Sequence, residues 1–237
     1  MIDLLLLVVV TLMAGLAMPL GAYLARIEHI RPSWLEQELR HSVLAFGGGT
    51  LLSAVALVLV PDGIEFTTAP LAALYLLLGG VIFMLIDMAM LRWQLPASQF
   101  LAMLLDFIPE SIVVGAIFAI RPEEAMLIAA LIALQNLPEA FNAYREFMQS
   151  GHFGARRVIT IFSLMALLGP LAGLSSYLWL VDDGGFVGAI MLVASGGILY
   201  SIFQDIAPGV RLEKHWAPPM GAVLGFVLGV VGLMVIS

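Results

Sequence analysis

Eight long apolar segments restrict what this chain can fold into. A helix needs about 20 apolar residues to cross the hydrocarbon core of a bilayer, and eight segments reach that length: 2–25, 41–61, 69–91, 99–120, 123–148, 155–180, 185–207 and 217–237. Hydrophobic residues make up 62% of the chain and charged residues 11%, against about 45–50% and about 25% in soluble domains. The segments also lack the period-two alternation of strands. We therefore expect an all-α polytopic membrane protein with eight transmembrane helices in one domain, residues 1–237.

The basic residues are divided unevenly between the two ends of these spans. Nine of the ten lie beside the connections that follow spans one, three, five and seven: Arg26, Arg31, Arg40, Arg92, Arg145, Arg156, Arg157, Arg211 and Lys214. Only Arg121 lies at the other end. Because Lys and Arg collect on the cytoplasmic side, we predict that both chain termini are outside. The first residues, Met1-Ile2-Asp3, are not basic, and the apolar run that follows is long enough to span a membrane. We therefore expect residues 1–25 to form a retained helix and not a cleaved signal peptide.

Acidic residues gather at the predicted outer end, at Asp62, Glu65, Glu123, Glu124, Asp182 and Asp183. One interpretation is an electronegative vestibule that concentrates cations near the membrane. The other is that acids remain where Lys and Arg are excluded, since acids contribute little to topology. The sequence leaves both interpretations open.

Spans four and five carry polar side chains inside their apolar runs. These are Asp106 and Glu110 in span four, and Gln135, Asn136 and Glu139 in span five. A charged residue inside a span costs about 2.5–3.5 kcal/mol on insertion scales, so such residues usually have a function. Asp106 and Glu110 are four residues apart, as are Gln135 and Glu139, and each pair therefore shares one helical face.

These residues also share a depth. Counted from the turn at Arg121 and Pro122, they lie roughly 15–24 Å into the membrane at a rise of about 1.5 Å per residue. Pro109 and Pro138 each free a backbone carbonyl in the preceding turn, which is tolerated where protein, water or a ligand satisfies it. We therefore expect interrupted helices that enclose a wet, oxygen-lined cavity near the midplane. A single buried carboxyl group is often only a structural residue, but three at one level would repel each other unless a cation or protons were bound.

Other polar residues have simpler interpretations. Asp87 is expected to pair with Arg92 at the inner end of span three. Gln204 and Asp205 either join a cytoplasmic exit or cap the end of span seven. Four histidines fall on the predicted cytoplasmic side, where interfacial histidines are common: His29, His41, His152 and His215.

The two polar segments resemble a known family. Asp106-Phe107-Ile108-Pro109-Glu110-Ser111 and Gln135-Asn136-Leu137-Pro138-Glu139-Ala140 are similar to the paired His-Asn-x-Pro-Glu-Gly segments of the ZIP (Zrt/Irt-like) metal transporters. Pro61-Asp62, near the end of span two, is similar to the Pro-Glu of that family. Eight spans, external termini and motifs on spans four and five fit the same family, of which this chain resembles a divergent bacterial-type member.

The resemblance implies uptake of a divalent metal ion into the cytoplasm by an elevator-like cycle. One metal position would be formed by Asp106, Glu110, Gln135 and Glu139, with Asp106 in place of the usual histidine. The second position would retain Asn136 and Glu139, but Phe107 replaces an asparagine and Gly169 lies near the place of an expected acid. The resemblance therefore implies an oxygen-rich site that is mononuclear or whose second ion is only weakly held.

The ligand types bear on the ion and on the class of protein. Oxygen ligands without His or Cys favour manganese, ferrous iron or magnesium, although zinc also binds carboxylates. We expect manganese, iron or zinc as the transported ion and no organic cofactor. We expect no enzymatic activity, because phosphate-loop, nucleophile-elbow and zinc-protease motifs are missing from the sequence.

The expected location is the inner (cell) membrane, and the expected partners are the ion and the bilayer. A homodimer is compatible with this prediction, and the sequence has no basic nucleic-acid-binding patch. Two alternatives stay open. The buried carboxylates would move protons or an organic cation in a divergent family member, or the chain would be a non-transporting membrane subunit.

Overall fold

The computed structural model describes residues 2–28, 33–93, 98–151, 153–179, 184–210 and 216–236. Helices account for nearly all of these residues, and no strand occurs among them. We number eight helical segments in chain order: α1 (Ile2–Ile27), α2 (33–65), α3 (Ala69–Trp93), α4 (Ser98–Phe118), α5 (Pro122–Ser150), α6 (Ala155–Trp179), α7 (Gly184–Gly209) and α8 (Ala217–Ile236).

Seven of these segments are long and apolar enough within the described residues to cross a membrane. The remaining segment, α4, is 21 residues long, so the prediction of a multi-pass helical membrane protein is confirmed at this level. Large apolar side chains face outward along the segments, for example Leu77 (69% exposed) and Met234 (74% exposed). Contact with lipid, unlike contact with water, carries no free-energy cost for such an exposed apolar surface.

The segments pack as two groups. In one group α1 contacts α5 and both halves of α6, and α4 contacts α5 and the second half of α6. In the other, α2 packs along α8, α3 packs along α7, and the last turns of α2 contact α7. The groups meet where α2 contacts α5 and where α4 contacts α7. The polar residues of spans four and five therefore lie on helices that border this boundary.

Glycines allow the helices of the second group to approach closely. A Cβ atom at Gly79 of α3 would overlap the carbonyl oxygen of Val193 on α7, and one at Gly225 of α8 would overlap that of Phe46 on α2. Small residues at such crossings permit backbone contact inside a membrane, where the hydrophobic effect does not drive helices together. The α3–α7 and α2–α8 pairs thus depend on these positions.

The interruptions in the helices differ from the prediction. Both α4 and α5 run as continuous helices through Pro109 and Pro138, so the expected breaks at these prolines are wrong. Instead α6 is divided between Met165 and Leu168, and π-helical turns occupy Val55–Leu59 in α2 and Ile202–Ile206 in α7.

Each π-helical turn lies just before a proline. Pro61 follows the turn in α2, and Pro208 follows the turn in α7. A proline ring collides with the carbonyl group four residues earlier, and in both helices that carbonyl belongs to the π-helical turn. The wider turn accommodates the ring, as π-bulges do elsewhere in helices.

Candidate functional site on helices α4, α5 and α7

Glu110 and Gln135 connect the two polar segments directly. The Nε2 atom of Gln135 donates to the two carboxylate oxygens of Glu110, at 3.2 and 3.4 Å. Glu110 is 3% exposed and Gln135 is fully buried. The contact places these residues of α4 and α5 at one level, as the spacing from the turn at Arg121 predicts.

Asp106 and Glu139 lie near this pair. Both carboxylates are within electrostatic range of Glu110. Asp106 is buried, and one of its oxygens accepts a hydrogen bond from the hydroxyl of Ser201 at 3.3 Å. Four of the five predicted ligands therefore gather in one region: Asp106, Glu110, Gln135 and Glu139.

Helix α7 also contributes to this region, whereas the sequence predicts a site between spans four and five alone. Ser201 directly precedes the π-helical turn that carries Asp205, and Asp205 is in electrostatic range of Asp106 and Glu139. Asp205 and Gln204 are exposed and lie inside the turn, so neither caps the helix. The sequence does contain an indication of this contribution: Ser201 and Asp205 are four residues apart, and this spacing places two residues on one face of a helix.

Asn136 contacts a different neighbour. Its Nδ2 atom donates to the carbonyl oxygen of Ala14 on α1, at 3.2 Å, and the side chain is fully buried. Consecutive residues of a helix point about 100° apart, so Gln135 and Asn136 face different helices. Asn136 fastens α1 to α5 beside the site.

Two amide oxygens in this region have no hydrogen-bond partner. They are Oε1 of Gln135 and Oδ1 of Asn136, and both are buried. Leaving a buried acceptor unsatisfied costs about 1–3 kcal/mol. Each oxygen is therefore available to a cation or to a proton donor such as water.

The carboxylates do not form a closed set of metal ligands in this conformation. Among the described residues, no three His, Cys, Asp or Glu side chains approach closely enough to hold a metal ion together. Like charges repel at short range when nothing neutralises them. Binding a metal here would require the side chains to move together.

A small cavity of about 10 Å³ lies beside Glu110, which is room for about one water molecule. Apart from Glu110 its lining is apolar: Leu51, Ala54, Leu59, Val113, Ile128, Leu131, Ile132 and Ile198. The expected oxygen-lined cavity is therefore not found at this place. Apolar side chains of α2, α4, α5 and α7 fill the space on this side of Glu110.

Phe107 and Gly169 occupy the region of the second metal position that the resemblance implies. Phe107 is fully buried. A Cβ atom at Gly169 would lie 2.9 Å from Cζ of Phe107 and 2.7 Å from the carbonyl oxygen of Thr11. The phenyl ring and the α1 backbone therefore leave no room for a side chain at Gly169.

Arg121 binds three of the acidic residues that the sequence placed at the outer end. Its guanidinium lies 2.6 Å from Asp62, 2.9 Å from Glu65 and 3.5 Å from Glu124. Burial disfavours the charge of the guanidinium, but Asp62, Glu124 and Glu65 outweigh this effect and raise the pKa of Arg121 above its usual value. We call this end of the bundle the Arg121 end.

Asp87 has a different partner from the predicted one. It accepts a hydrogen bond from the hydroxyl of Tyr200 on α7, at 3.0 Å, and no ion pair with Arg92 occurs among the described side chains. Asp87 and Arg92 are five residues apart and therefore do not share a helical face, which explains why they do not pair. The remaining predictions on His29, His152, His215, Asp182 and Asp183 concern positions outside the described residues.

Comparisons with known proteins do not assign the chain to a family. No family model matches the chain, and the search of curated proteins gives no match.

Proposed function

We propose that this chain moves a divalent metal cation across the membrane through a site formed by Asp106, Glu110, Gln135 and Glu139. The observation that carries the proposal is the hydrogen bond between Gln135 and Glu110, because it joins two buried polar segments within the membrane-embedded part of the fold. Ionisable residues at such places commonly mark ion pathways. The unpartnered Oε1 of Gln135 supplies a further neutral oxygen ligand.

The residues around the site support a single ion with oxygen ligands. Phe107 fills the place where the resemblance implies a second ligand, and Gly169 has no space for an acidic side chain. Carboxylate and amide oxygens suit manganese and ferrous iron, and they also bind zinc. We propose manganese, iron or zinc as the substrate, with Asn136 holding α1 in place beside it.

The proposed direction is into the cytoplasm of the cell, across its inner membrane. Its support is the distribution of basic residues, which favours an external position for the Arg121 end and for both termini. Glu139 is partly exposed and Asp205 is exposed, whereas Glu110 is covered by apolar side chains toward the Arg121 end.

The decisive experiment measures metal uptake into liposomes that contain the purified protein. We expect Asp106→Ala and Glu139→Ala to abolish uptake of manganese, iron and zinc, because each removes a charged ligand. Asp3→Ala removes an exposed carboxylate at the start of α1 and serves as the matched control with normal uptake. Unchanged uptake in both site variants would contradict the assignment of the site.

A second candidate function is the transport of protons or of an organic cation by the same carboxylates. The observation that favours it is the lack of three closely spaced ligands among the described residues. Thermal unfolding separates the two functions. A metal that binds only the folded protein stabilises it by about 2.7 kcal/mol at 100 times its Kd, whereas a proton or organic-cation carrier shows no such shift with manganese, iron or zinc.

A further inference from the structure

The ion pairs of Arg121 cross the boundary between the two packing groups. Arg121 lies in the connection between α4 and α5, which belong to one group, whereas Asp62 and Glu65 lie in the last turns of α2, in the other group. One guanidinium nitrogen contacts Asp62 at 2.6 Å, and the second contacts Glu65 at 2.9 Å. The guanidinium therefore ties the two groups together at two points.

The surroundings of Arg121 strengthen this connection. Glu124, three residues later on α5, lies 3.5 Å from the guanidinium and helps to hold it in place. The side chain of Asp62 is only 11% exposed, so this pair is less screened than a surface salt bridge. A guanidinium also presents two nitrogens in a fixed plane, which suits simultaneous binding of two carboxylates.

An apolar layer lies between these ion pairs and the candidate site. It includes Leu59, Val113, Ile128 and Ile198, which surround the small cavity above Glu110. Val113 lies eight residues before Arg121 in the chain, or about 12 Å along the helix. Along α4, this apolar layer therefore lies between the ion pairs and Glu110.

We propose that Arg121 acts as an ionic latch, which holds the two packing groups together over the Arg121 end and keeps the site closed to that side. The proposal rests on the proposed transport function, since a closed end matters only if an ion passes. Opening requires Asp62 and Glu65 to separate from the guanidinium, which allows the α4–α5 connection to move away from α2. Closing restores both ion pairs.

The latch can be tested by chemical labelling, because the chain contains no cysteine. A single cysteine is introduced by Val113→Cys, below the ion pairs, and the rate of reaction with a water-soluble, charged methanethiosulfonate reagent is measured in detergent. We expect Arg121→Gln to increase this rate at least tenfold. The matched control, Arg92→Gln, removes an exposed arginine at the far end of α3 and should leave the rate unchanged. Rates within twofold of each other in the Arg121→Gln and parent proteins would overturn the proposal.

A charge-reversal variant distinguishes loss of the ionic latch from damage to the fold. The double variant Asp62→Arg with Arg121→Asp rebuilds the pair with opposite polarity, and we expect it to return the labelling rate to within threefold of the parent. Labelling that stays as fast as in Arg121→Gln would count against the latch. Labelling needs no transported ion, so fast labelling of Arg121→Gln in a protein without metal uptake would support the latch and contradict only the proposed function.

Discussion

Two adjacent glycines of α3 provide a direct test of how the second packing group is held together. A Cβ atom at Gly79 would overlap the carbonyl oxygen of Val193 and lie 2.8 Å from its carbonyl carbon. A Cβ atom at Gly80 would find its nearest neighbour, the carbonyl oxygen of Gly196, at 3.6 Å, an ordinary contact distance. Alanine should therefore fit at Gly80 and should push α3 away from α7 at Gly79.

The expected energies follow from two effects. Replacing glycine by alanine within a helix stabilises it by about 1 kcal/mol, and this gain is common to both variants. Gly79→Ala also suffers overpacking, which costs about 1–3 kcal/mol, and its neighbour is backbone that cannot rotate away. The two variants should thus differ in unfolding free energy by about 1–3 kcal/mol, with Gly80→Ala the more stable.

Thermal unfolding in detergent measures this difference, with the fluorescence of the four tryptophans as the signal. For a chain of this length, 1 kcal/mol shifts Tm by roughly 2–4 °C, so Gly79→Ala should unfold roughly 2–12 °C below Gly80→Ala. Little of α3 is buried, so few other contacts can compensate for a lost crossing with α7. Equal Tm values, or a less stable Gly80→Ala, would refute the proposed packing of α3 on α7.

Two further predictions concern the candidate site. Phe107→Ala should lower the unfolding free energy by about 3–5 kcal/mol, because the ring is fully buried beside Gly169. Denaturant unfolding of the purified protein measures this loss. A change below about 1 kcal/mol would contradict the prediction. Ser201→Ala removes the hydroxyl that donates to Asp106, so metal uptake should show a KM increased about threefold to tenfold, and the buried oxygen left without a donor should lower the unfolding free energy by about 1–3 kcal/mol. A KM equal to that of the parent would show that α7 does not support the site.

The helical segments were predictable from the sequence because lipid demands long apolar runs. The predicted span 69–91 corresponds to Ala69–Trp93, and the span 217–237 to Ala217–Ile236. Helix α2 extends beyond the predicted span 41–61, since it begins at Ser33. Its first turns include charged residues, and an apolar criterion does not detect the part of a helix that extends beyond the hydrocarbon core.

The site was predictable in part for a similar reason. Four-residue spacing and equal distance from a turn depend only on helix geometry, and they identified the level at which Glu110 meets Gln135. They could not show which helices pack beside α4 and α5. The contact between Ser201 and Asp106, and that between Asn136 and Ala14, join residues about 95 and 122 positions apart, a separation that only packing of the whole chain decides.

The sequence by itself determined that the chain is helical and apolar enough for a membrane, and that carboxylates lie inside two of its spans. Both follow from local chemistry, because span length and residue spacing are properties of one helix at a time. Tertiary structure decided that α7 joins the site, that Phe107 fills the neighbouring space, and that Arg121 ties α2 to the α4–α5 connection. These three features depend on which helices contact each other, and the sequence of a single helix does not determine its neighbours.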